Sequence, residues 1–187
     1  MATSATPKTS NAEHIQYMRQ ALSEARKSIH IPTAFCVGCV LVSSPTHPTY
    51  PSRVLSTGFS RELPGNTHAE QCALDKILSP SSTSAEESFF ASPAFQGDAR
   101  DALLEGASCY TTMEPCSERL SGNVPCVQRI LNTGIKRVFI GVEEPGDFVE
   151  CVGTRLLREK GVEVLVVVDP EDPSLGEQCL KVARGEP

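Results

Sequence analysis

Three soft metal ligands and one spare carboxylate stand at separate points of this 187-residue chain. His68 and Glu70 flank one alanine, and Cys116 and Cys126 each follow a proline directly. One neutral imidazole and two thiolates suit tetrahedral zinc, and a catalytic zinc site leaves its fourth ligand position to water. A purely structural site closes that position and has no use for a carboxylate that does not bind metal. His68, Cys116 and Cys126 are therefore predicted to hold Zn²⁺, with Glu70 moving protons beside it.

The stretch from Thr67 to Glu70 has a second interpretation, as a capping box at the start of a helix. In that motif Thr67 caps the first turn and the Glu70 side chain bonds back to the amide of the cap residue. Such four-residue matches are common at helix starts, so this stretch alone favours the structural interpretation. The two distant Pro-Cys pairs favour the metal interpretation. We expect the stretch to serve as both cap and catalyst.

The segments around these residues alternate between helical and extended patterns. Helices are predicted over 12–30, with Asn11 as cap, and over 66–78, 124–132, 153–160 and about 175–182. Strands are predicted over 35–42, 54–60, 108–113, 137–142 and 162–168. The first two strands are joined too briefly for a crossover and should pair antiparallel, whereas the later strands should pair in parallel. We therefore expect an α/β fold with three α/β/α layers and a mixed sheet of roughly five strands.

One domain over 12–168 contains all of these elements except the last short helix. Residues 1–11 are small, polar and unpatterned, which is typical of a flexible tail. Residues 79–97 are interpreted as a surface insertion because they are rich in Ser, Ala, Pro and Glu, and 169–187 as a polar C-terminal tail. Three aromatic residues either contact a partner subunit, close over a ligand or pack within the chain: Phe89, Phe90 and Phe148.

The predicted order of elements brings the four chemical residues to one edge of the sheet. His68 and Glu70 lie about 200° apart around a helix axis, but first-turn side chains can converge on a ligand beyond the helix end. Cys116 follows the strand over 108–113, and Cys126 falls in the first turn of the next helix. Helix N-termini stabilise thiolates, and open α/β sheets bind ligands at the carboxyl ends of their strands. We expect the site at that edge.

The charge balance argues against a polynucleotide substrate. The chain has 17 Lys and Arg against 23 Asp and Glu, which gives a formal net charge of −6, and it has no basic run. A protein that follows a phosphate backbone usually carries a basic face. The first residues contain no apolar stretch typical of a signal peptide, and no apolar run approaches the roughly 20 residues of a membrane-spanning helix. We expect reduced thiols, a cytoplasmic location, and neither nucleic acid nor membrane as partner.

Nine residues separate Cys116 from Cys126, whereas most zinc-dependent nucleobase deaminases carry Pro-Cys-x-x-Cys. The chain otherwise matches their His-x-Glu and Pro-Cys pattern, and its stretched spacing resembles the pyrimidine deaminases of riboflavin biosynthesis, especially the fungal ones. The resemblance covers about residues 12–168 and is carried by three segments: His68-Ala69-Glu70-Gln71-Cys72-Ala73, Thr112-Met113-Glu114-Pro115-Cys116-Ser117 and Gly122-Asn123-Val124-Pro125-Cys126. It implies a cytidine-deaminase-like fold, a Zn²⁺ cofactor and assembly as a homodimer.

The resemblance also implies a reaction. Hydrolysis would remove the 2-amino group of 2,5-diamino-6-ribitylamino-4(3H)-pyrimidinone 5′-phosphate, giving 5-amino-6-ribitylamino-uracil 5′-phosphate and ammonia. Glu70 would take a proton from water and pass it to the ring nitrogen and then to the leaving amine. One alternative is a cytosine, dCMP or tRNA-adenosine deaminase, against which the cysteine spacing and the acidic balance argue. The other is a catalytically silent, zinc-stabilised binding module, against which Glu70 argues.

Two departures from the bacterial members of that family leave the substrate contacts open. The chain lacks their Asn-Pro-x-Val-Gly before the first strand and their Ser-His-x-Gly-Lys or Arg after the first zinc cysteine. From side-chain chemistry we propose that Glu118 contacts the amino-substituted ring, and that Ser121 and Asn123 contact the ribityl chain. Arg119 or Arg61 would contact the phosphate. Each of these residues is equally compatible with an ordinary solvated loop position.

Overall fold

The computed structural model describes residues 6–79, 98–119, 121–143 and 152–186. Its strands are β1 (Lys8–Thr9), β2 (Gly38–Val42), β3 (Val54–Phe59), β4 (Ser108–Met113), β5 (Arg137–Val142) and β6 (Glu163–Val167). Its helices are α1 (Ala12–Ala25), α2 (Ala69–Leu78), α3 (Asp98–Leu104), α4 (Cys126–Leu131), α5 (Gly153–Glu159) and α6 (Leu175–Ala183). The strands form one sheet in the order β1-β6-β5-β4-β2-β3.

The sheet is mixed, as the connection lengths predicted. Strand β2 pairs antiparallel with β3 and β4, whereas β4, β5 and β6 pair in parallel. Alternate side chains of β2 enter different clusters: Cys39 and Leu41 pack with α2 to α5, and Val40 and Val42 pack with α1 and α6. Both faces of the sheet are therefore covered by helices, and the three α/β/α layers are confirmed.

Two glycines let helices lie directly against the strands. A Cβ at Gly38 of β2 would overlap the carbonyl of Ala21 in α1, and a Cβ at Gly58 of β3 would overlap the carbonyl of Ala69 in α2. Because Ala69 is the first residue of α2, the second contact brings the start of that helix down onto the sheet. This places the residues at the head of α2 close to the ends of the strands.

Residues 6–9 differ from the expectation of a flexible tail over 1–11, and they add a sixth strand to the sheet of roughly five that was expected. Lys8 and Thr9 pair in parallel with Val166 and Val167 of β6. The amide of Val166 donates to Pro7 O at 2.8 Å, and Thr6 donates a side-chain hydrogen bond to Glu143 at the end of β5. These bonds cover an edge of β6 that would otherwise present unpaired backbone groups. The sixth strand was not predicted because two residues carry no readable alternation.

The C-terminal segment 169–187 is part of the packed domain up to its last helix. The short helix predicted around 175–182 is confirmed as α6, which buries Leu175, Cys179 and Ala183. It lies close to β5 because Gly141 has no side chain, and a Cβ there would stand 2.6 Å from Cys179 Sγ. The expectation of a polar tail outside the domain was therefore wrong for this helix.

Several element boundaries differ from the predicted ones for local reasons. Strand β2 begins at Gly38 because the Cys36 amide donates to Ala183 O, at the end of α6, instead of to a neighbouring strand. Helix α1 has the predicted cap, an Asn11 side chain that accepts from Glu13 N at 2.9 Å, but ends at Ala25. Helix α3 was not predicted. Most of the 79–97 insertion lies outside the described residues, and so do Phe89, Phe90 and Phe148.

Candidate active site

The three predicted metal ligands meet at one edge of the sheet. His68 is the N-cap of α2, Cys116 lies in the loop after β4, and Cys126 is the first residue of α4. His68 Nδ1 is 3.4 Å from Cys116 Sγ and 3.5 Å from Cys126 Sγ, and the three ligand atoms all lie within 4.8 Å of one another. Typical Zn–S and Zn–N bonds at a tetrahedral angle separate nitrogen from sulfur by about 3.6 Å. The donor types and their spacing therefore fit Zn²⁺.

The two thiols are electrostatically unequal before any metal binds. A hydrogen bond from Cys126 lowers the pKa of Cys116 to about 4, and a hydrogen bond with His68 acts in the same direction against the effect of burial. The Cys126 amide also lies 3.4 Å from Cys116 Sγ as a donor. The hydrogen bond between the two thiols and the burial of Cys126 raise the pKa of the Cys126 thiol well above its ordinary range. A divalent cation would favour the thiolate form of both.

Glu70 is held as a buried carboxylate in the first turn of α2. Its side chain is 3 % exposed, and the hydroxyl of Thr111 in β4 lies as a donor 3.1 Å from its Oε1, with Met113 O at 3.0 Å as a second acceptor for the same proton. Burial raises the pKa of Glu70, the charge of Cys116 raises it further, and nearby His68 lowers it. A carboxylate with a raised pKa can take up a proton and return it near neutral pH. Glu70 is thus suited to proton transfer beside the metal ligands.

The predicted capping box is wrong. Thr67 precedes the cap position, and its hydroxyl donates to Leu63 O at 2.9 Å instead of capping α2. The N-cap is His68, which makes no side-chain capping hydrogen bond. The Glu70 carboxylate accepts from Thr111, and among the described residues it makes no hydrogen bond with the amide of Thr67 or His68. The first turn of α2 therefore serves the site, and the cap motif in the sequence is coincidental.

Glu114 is a functional position that the sequence reasoning missed. This buried carboxylate accepts a 2.7 Å hydrogen bond from the amide of Thr154 in the first turn of α5. A carboxylate is stabilised there by the positive end of the helix. A Cβ at Gly153 would overlap Pro115 O, so the loop and the helix meet through bare backbone. Glu114 thereby ties the loop that carries Cys116 to α5, and its place before Pro-Cys was the only available signal.

A cavity of about 630 Å³ opens in front of the ligands and reaches the loop before β2 and the end of α6. Its volume falls within the usual range of small-molecule sites, roughly 300–1,000 Å³. His68, Glu70 and Cys116 line it at one end. Of the proposed substrate contacts, four also line it: Arg61, Glu118, Arg119 and Ser121. Asn123 is exposed and is not among the described residues that line the cavity.

Both predicted phosphate-binding arginines hold parts of the protein together. Arg119 Nη1 donates to Gln71 Oε1 at 2.9 Å, and its Nη2 donates to the Asn66 carbonyl. Arg61 Nη1 donates to Phe35 O at 3.4 Å, and its Nη2 donates to the Ile29 carbonyl. A guanidinium has five N–H groups, so each arginine keeps donors for a ligand. Their first role in this structure is to join the segments that form the cavity walls.

The sequence is similar to known deaminases over most of its length. Residues 11–142 match the family model described as the cytidine and deoxycytidylate deaminase zinc-binding region. The chain is 39 % identical over 175 residues to a diaminohydroxyphosphoribosylamino-pyrimidine deaminase of Schizosaccharomyces pombe. This alignment covers 93 % of the chain but only 36 % of the relative, so the chain spans about a third of that protein's length.

Solved structures show the same architecture. A crystal structure of Aspergillus oryzae Rib2 deaminase in complex with DARIPP is 35 % identical in sequence, with a TM-score of 0.67. The superposition covers 93 % of this chain and 91 % of that one. A dCMP deaminase from cyanophage S-TIM5 superposes with a TM-score of 0.53 at 22 % identity, covering 84 % of this chain and 99 % of that one. The second likeness shows the fold alone.

Proposed function

Because the chain belongs to the cytidine and deoxycytidylate deaminase family, we propose that it is a zinc-dependent hydrolase that removes an amino group from a pyrimidine ring. The proposed substrate is 2,5-diamino-6-ribitylamino-4(3H)-pyrimidinone 5′-phosphate, and the products are 5-amino-6-ribitylamino-uracil 5′-phosphate and ammonia. The observation that carries the proposal is the buried Glu70 carboxylate beside a zinc-compatible ligand set in the wall of a ligand-sized cavity.

The chain's own residues divide the chemistry among them. Zn²⁺ held by His68, Cys116 and Cys126 would supply hydroxide near neutral pH by lowering the pKa of a water molecule. Glu70 accepts the proton that water loses and delivers it to the ring nitrogen next to the attacked carbon. A carbon–oxygen bond forms at that carbon. Glu70 then takes the remaining proton of the added hydroxyl and delivers it to the amine, so the carbon–nitrogen bond breaks, ammonia leaves and the carbonyl forms. Thr111 keeps one Glu70 oxygen in place during these transfers.

One comparison supports a ribitylaminopyrimidine as the ligand, and a second supports the wider class of phosphorylated aminopyrimidines. The Aspergillus oryzae Rib2 deaminase was crystallised with DARIPP, and the Schizosaccharomyces pombe relative is named for a phosphoribosylaminopyrimidine. The cavity is large enough for a ring with a phosphorylated five-carbon chain. Glu118, Ser121 and Arg61 remain proposed contacts because they line this cavity. Arg119 also lines it and is proposed to support its wall, with Arg61 as the phosphate contact. Asn123 is withdrawn as a contact to the ribityl chain.

We also propose that the protein works as a cytoplasmic homodimer with a small molecule as its ligand. The net charge of −6 supports a small-molecule ligand over nucleic acid. Among the described residues, no helix is long and apolar enough to cross a membrane. Light scattering of the purified protein tests the assembly, since a mass of twice 20.1 kDa is expected.

Metal analysis combined with ammonia release on a substrate panel tests the proposed activity. The panel contains the ribitylaminopyrimidine phosphate, its unreduced ribosylamino analogue, cytosine, dCMP and tRNA. We expect one zinc ion per chain and ammonia from the ribitylaminopyrimidine phosphate. Ammonia from dCMP alone would instead identify a nucleotide deaminase. Bound zinc without turnover on any compound would identify a binding module.

A further inference from the structure

Three basic side chains line the cavity where it is bounded by the loop before β2 and the end of α6. They are His30, Arg61 and Arg184, and we call them the cationic rim because two of them carry a guanidinium charge. His30 and Arg184 are exposed, whereas Arg61 is half-buried. The metal end of the cavity, lined by His68, Glu70 and Cys116 beside the buried Cys126, carries acidic and thiol groups instead. The cavity is therefore polarised between two different chemistries.

Arg61 builds the first part of the rim from a strained backbone position. Its φ is 64°, in the left-handed region that non-glycine residues seldom adopt. Its amide donates to Thr67 O at 2.8 Å, directly before the zinc ligand His68. Its guanidinium bonds the carbonyls of Ile29 and Phe35 at the two ends of the loop that contains His30. Strain of this kind persists where surrounding contacts enforce it, and it concentrates at ligand sites.

The end of α6 builds the second part. The Cys36 amide donates to Ala183 O at 2.9 Å, which attaches the end of the helix to the same loop. Gly185 has a φ of 74°, and a Cβ there would overlap the His30 ring. Arg184 lies between these two contacts and lines the cavity. Its backbone is thus held on both sides, and its side chain forms part of the cavity wall.

We propose that the cationic rim binds the 5′-phosphate of the substrate, with Arg184 as a specificity-determining residue. The proposal rests on the proposed function, because it assumes a ligand with a neutral ring at one end and a phosphate at the other. The ring would lie at the metal end, and the phosphate would lie against Arg184 and Arg61. Guanidinium groups suit this role because their fork of N–H donors matches phosphate oxygens. Arg119 lines another wall, where it bridges Gln71 and Asn66, and is not part of the rim.

Steady-state kinetics of Arg184→Ala test the assignment. With the phosphorylated substrate, KM should rise about tenfold while kcat stays within about twofold, since a charged hydrogen bond made equally in ground and transition states is lost. With the dephosphorylated substrate, KM should not change. For the phosphorylated substrate, the KM of Arg184→Lys should lie between the KM of the wild type and that of Arg184→Ala. Arg155→Ala is the matched control because Arg155 is 61 % exposed on α5 and pairs with Glu159, and its kinetics should equal those of the wild type.

A binding measurement separates this inference from the proposed activity. Ribitol 5-phosphate and ribitol, neither of which can be deaminated, are titrated into the zinc-loaded protein. The wild type should bind the phosphate compound more tightly than ribitol, and Arg184→Ala should lose about tenfold of that preference. Equal binding of ribitol 5-phosphate by both proteins would overturn the assignment of phosphate binding to the cationic rim. A KM that rises alike for both substrates would overturn it as well. Absence of ammonia from every pyrimidine would overturn the proposed function and leave the binding result valid.

Discussion

At the metal end of the cavity, each chemical residue stands at the start of a helix or in the loop directly after a strand. His68 caps α2, Glu70 is in its first turn, Cys126 begins α4 and Cys116 follows β4. The cationic rim is assembled differently, from a loop, a strained arginine and the last turn of α6. Regular elements hold residues more firmly than connecting segments do. The comparison suggests that the reaction depends on the framework of the fold, whereas the choice of substrate depends on its connections.

The largest effect should come from Cys126→Ser at the metal end. The substitution replaces a soft thiolate by a hydroxyl, which is a poor zinc ligand, so bound zinc and ammonia release should both be lost. The melting temperature should also fall because zinc binding contributes to folding. Metal analysis, turnover and thermal unfolding measure the three effects. Cys179→Ser alters another buried cysteine and should keep its zinc, while full zinc content in Cys126→Ser would remove Cys126 from the ligand set.

Glu70→Gln should separate chemistry from metal binding. The amide keeps the size of the side chain but cannot carry protons, so kcat should fall by about a thousandfold with zinc content unchanged. Ammonia release and metal analysis on the same sample provide the measurement. Turnover at the wild-type rate would exclude Glu70 as the proton carrier.

Thr111→Val tests whether turnover depends on the orientation of the Glu70 carboxylate at the metal end. Valine has the shape of threonine but cannot donate to Glu70 Oε1, so kcat should fall about tenfold with little change in KM or zinc content. Thr111→Ser keeps the hydroxyl and should restore most of the rate. An equal loss in both variants would attribute the effect to packing of this fully buried position.

Arg119→Ala should have the smallest effect and sharpens the contrast with the rim. Loss of the bridge between Gln71 and Asn66 loosens one cavity wall, so KM should rise about threefold for phosphorylated and dephosphorylated substrates alike. The ratio of the two KM values, compared with the ratio for Arg184→Ala, is the informative quantity. If only the phosphorylated substrate is affected, Arg119 binds phosphate and the division between wall and rim is wrong.

The metal end could be predicted from the sequence because local signals determine it. Strands β4 and β5 have the predicted boundaries, since each lies between a glycine and a proline that interrupt the extended pattern. Strand ends and helix starts then meet at one edge of the sheet, which brings His68, Cys116 and Cys126 together. The capping box failed because a four-residue pattern does not reveal that Thr67 bonds backwards to Leu63 O.

The rim could not be predicted because it depends on contacts between distant segments. Nothing near Arg184 in the sequence indicates that the Ala183 carbonyl will bond the Cys36 amide. Arg61 was selected for its charge, but its left-handed backbone and its bonds to a loop carbonyl appear only in three dimensions. Strand β1 was missed for a related reason, because its pairing partner, rather than its own residues, determines its conformation.

That short strand has a consequence for how the protein behaves in a crowded solution. Lys8 and Thr9 occupy the row of backbone donors and acceptors along β6. Without them, the same row would be open to a strand from another molecule, and end-to-end association of sheets would compete with the folded monomer. The two residues therefore protect this edge of the sheet against polymerisation. Their removal should increase light scattering before it reduces the rate of ammonia release.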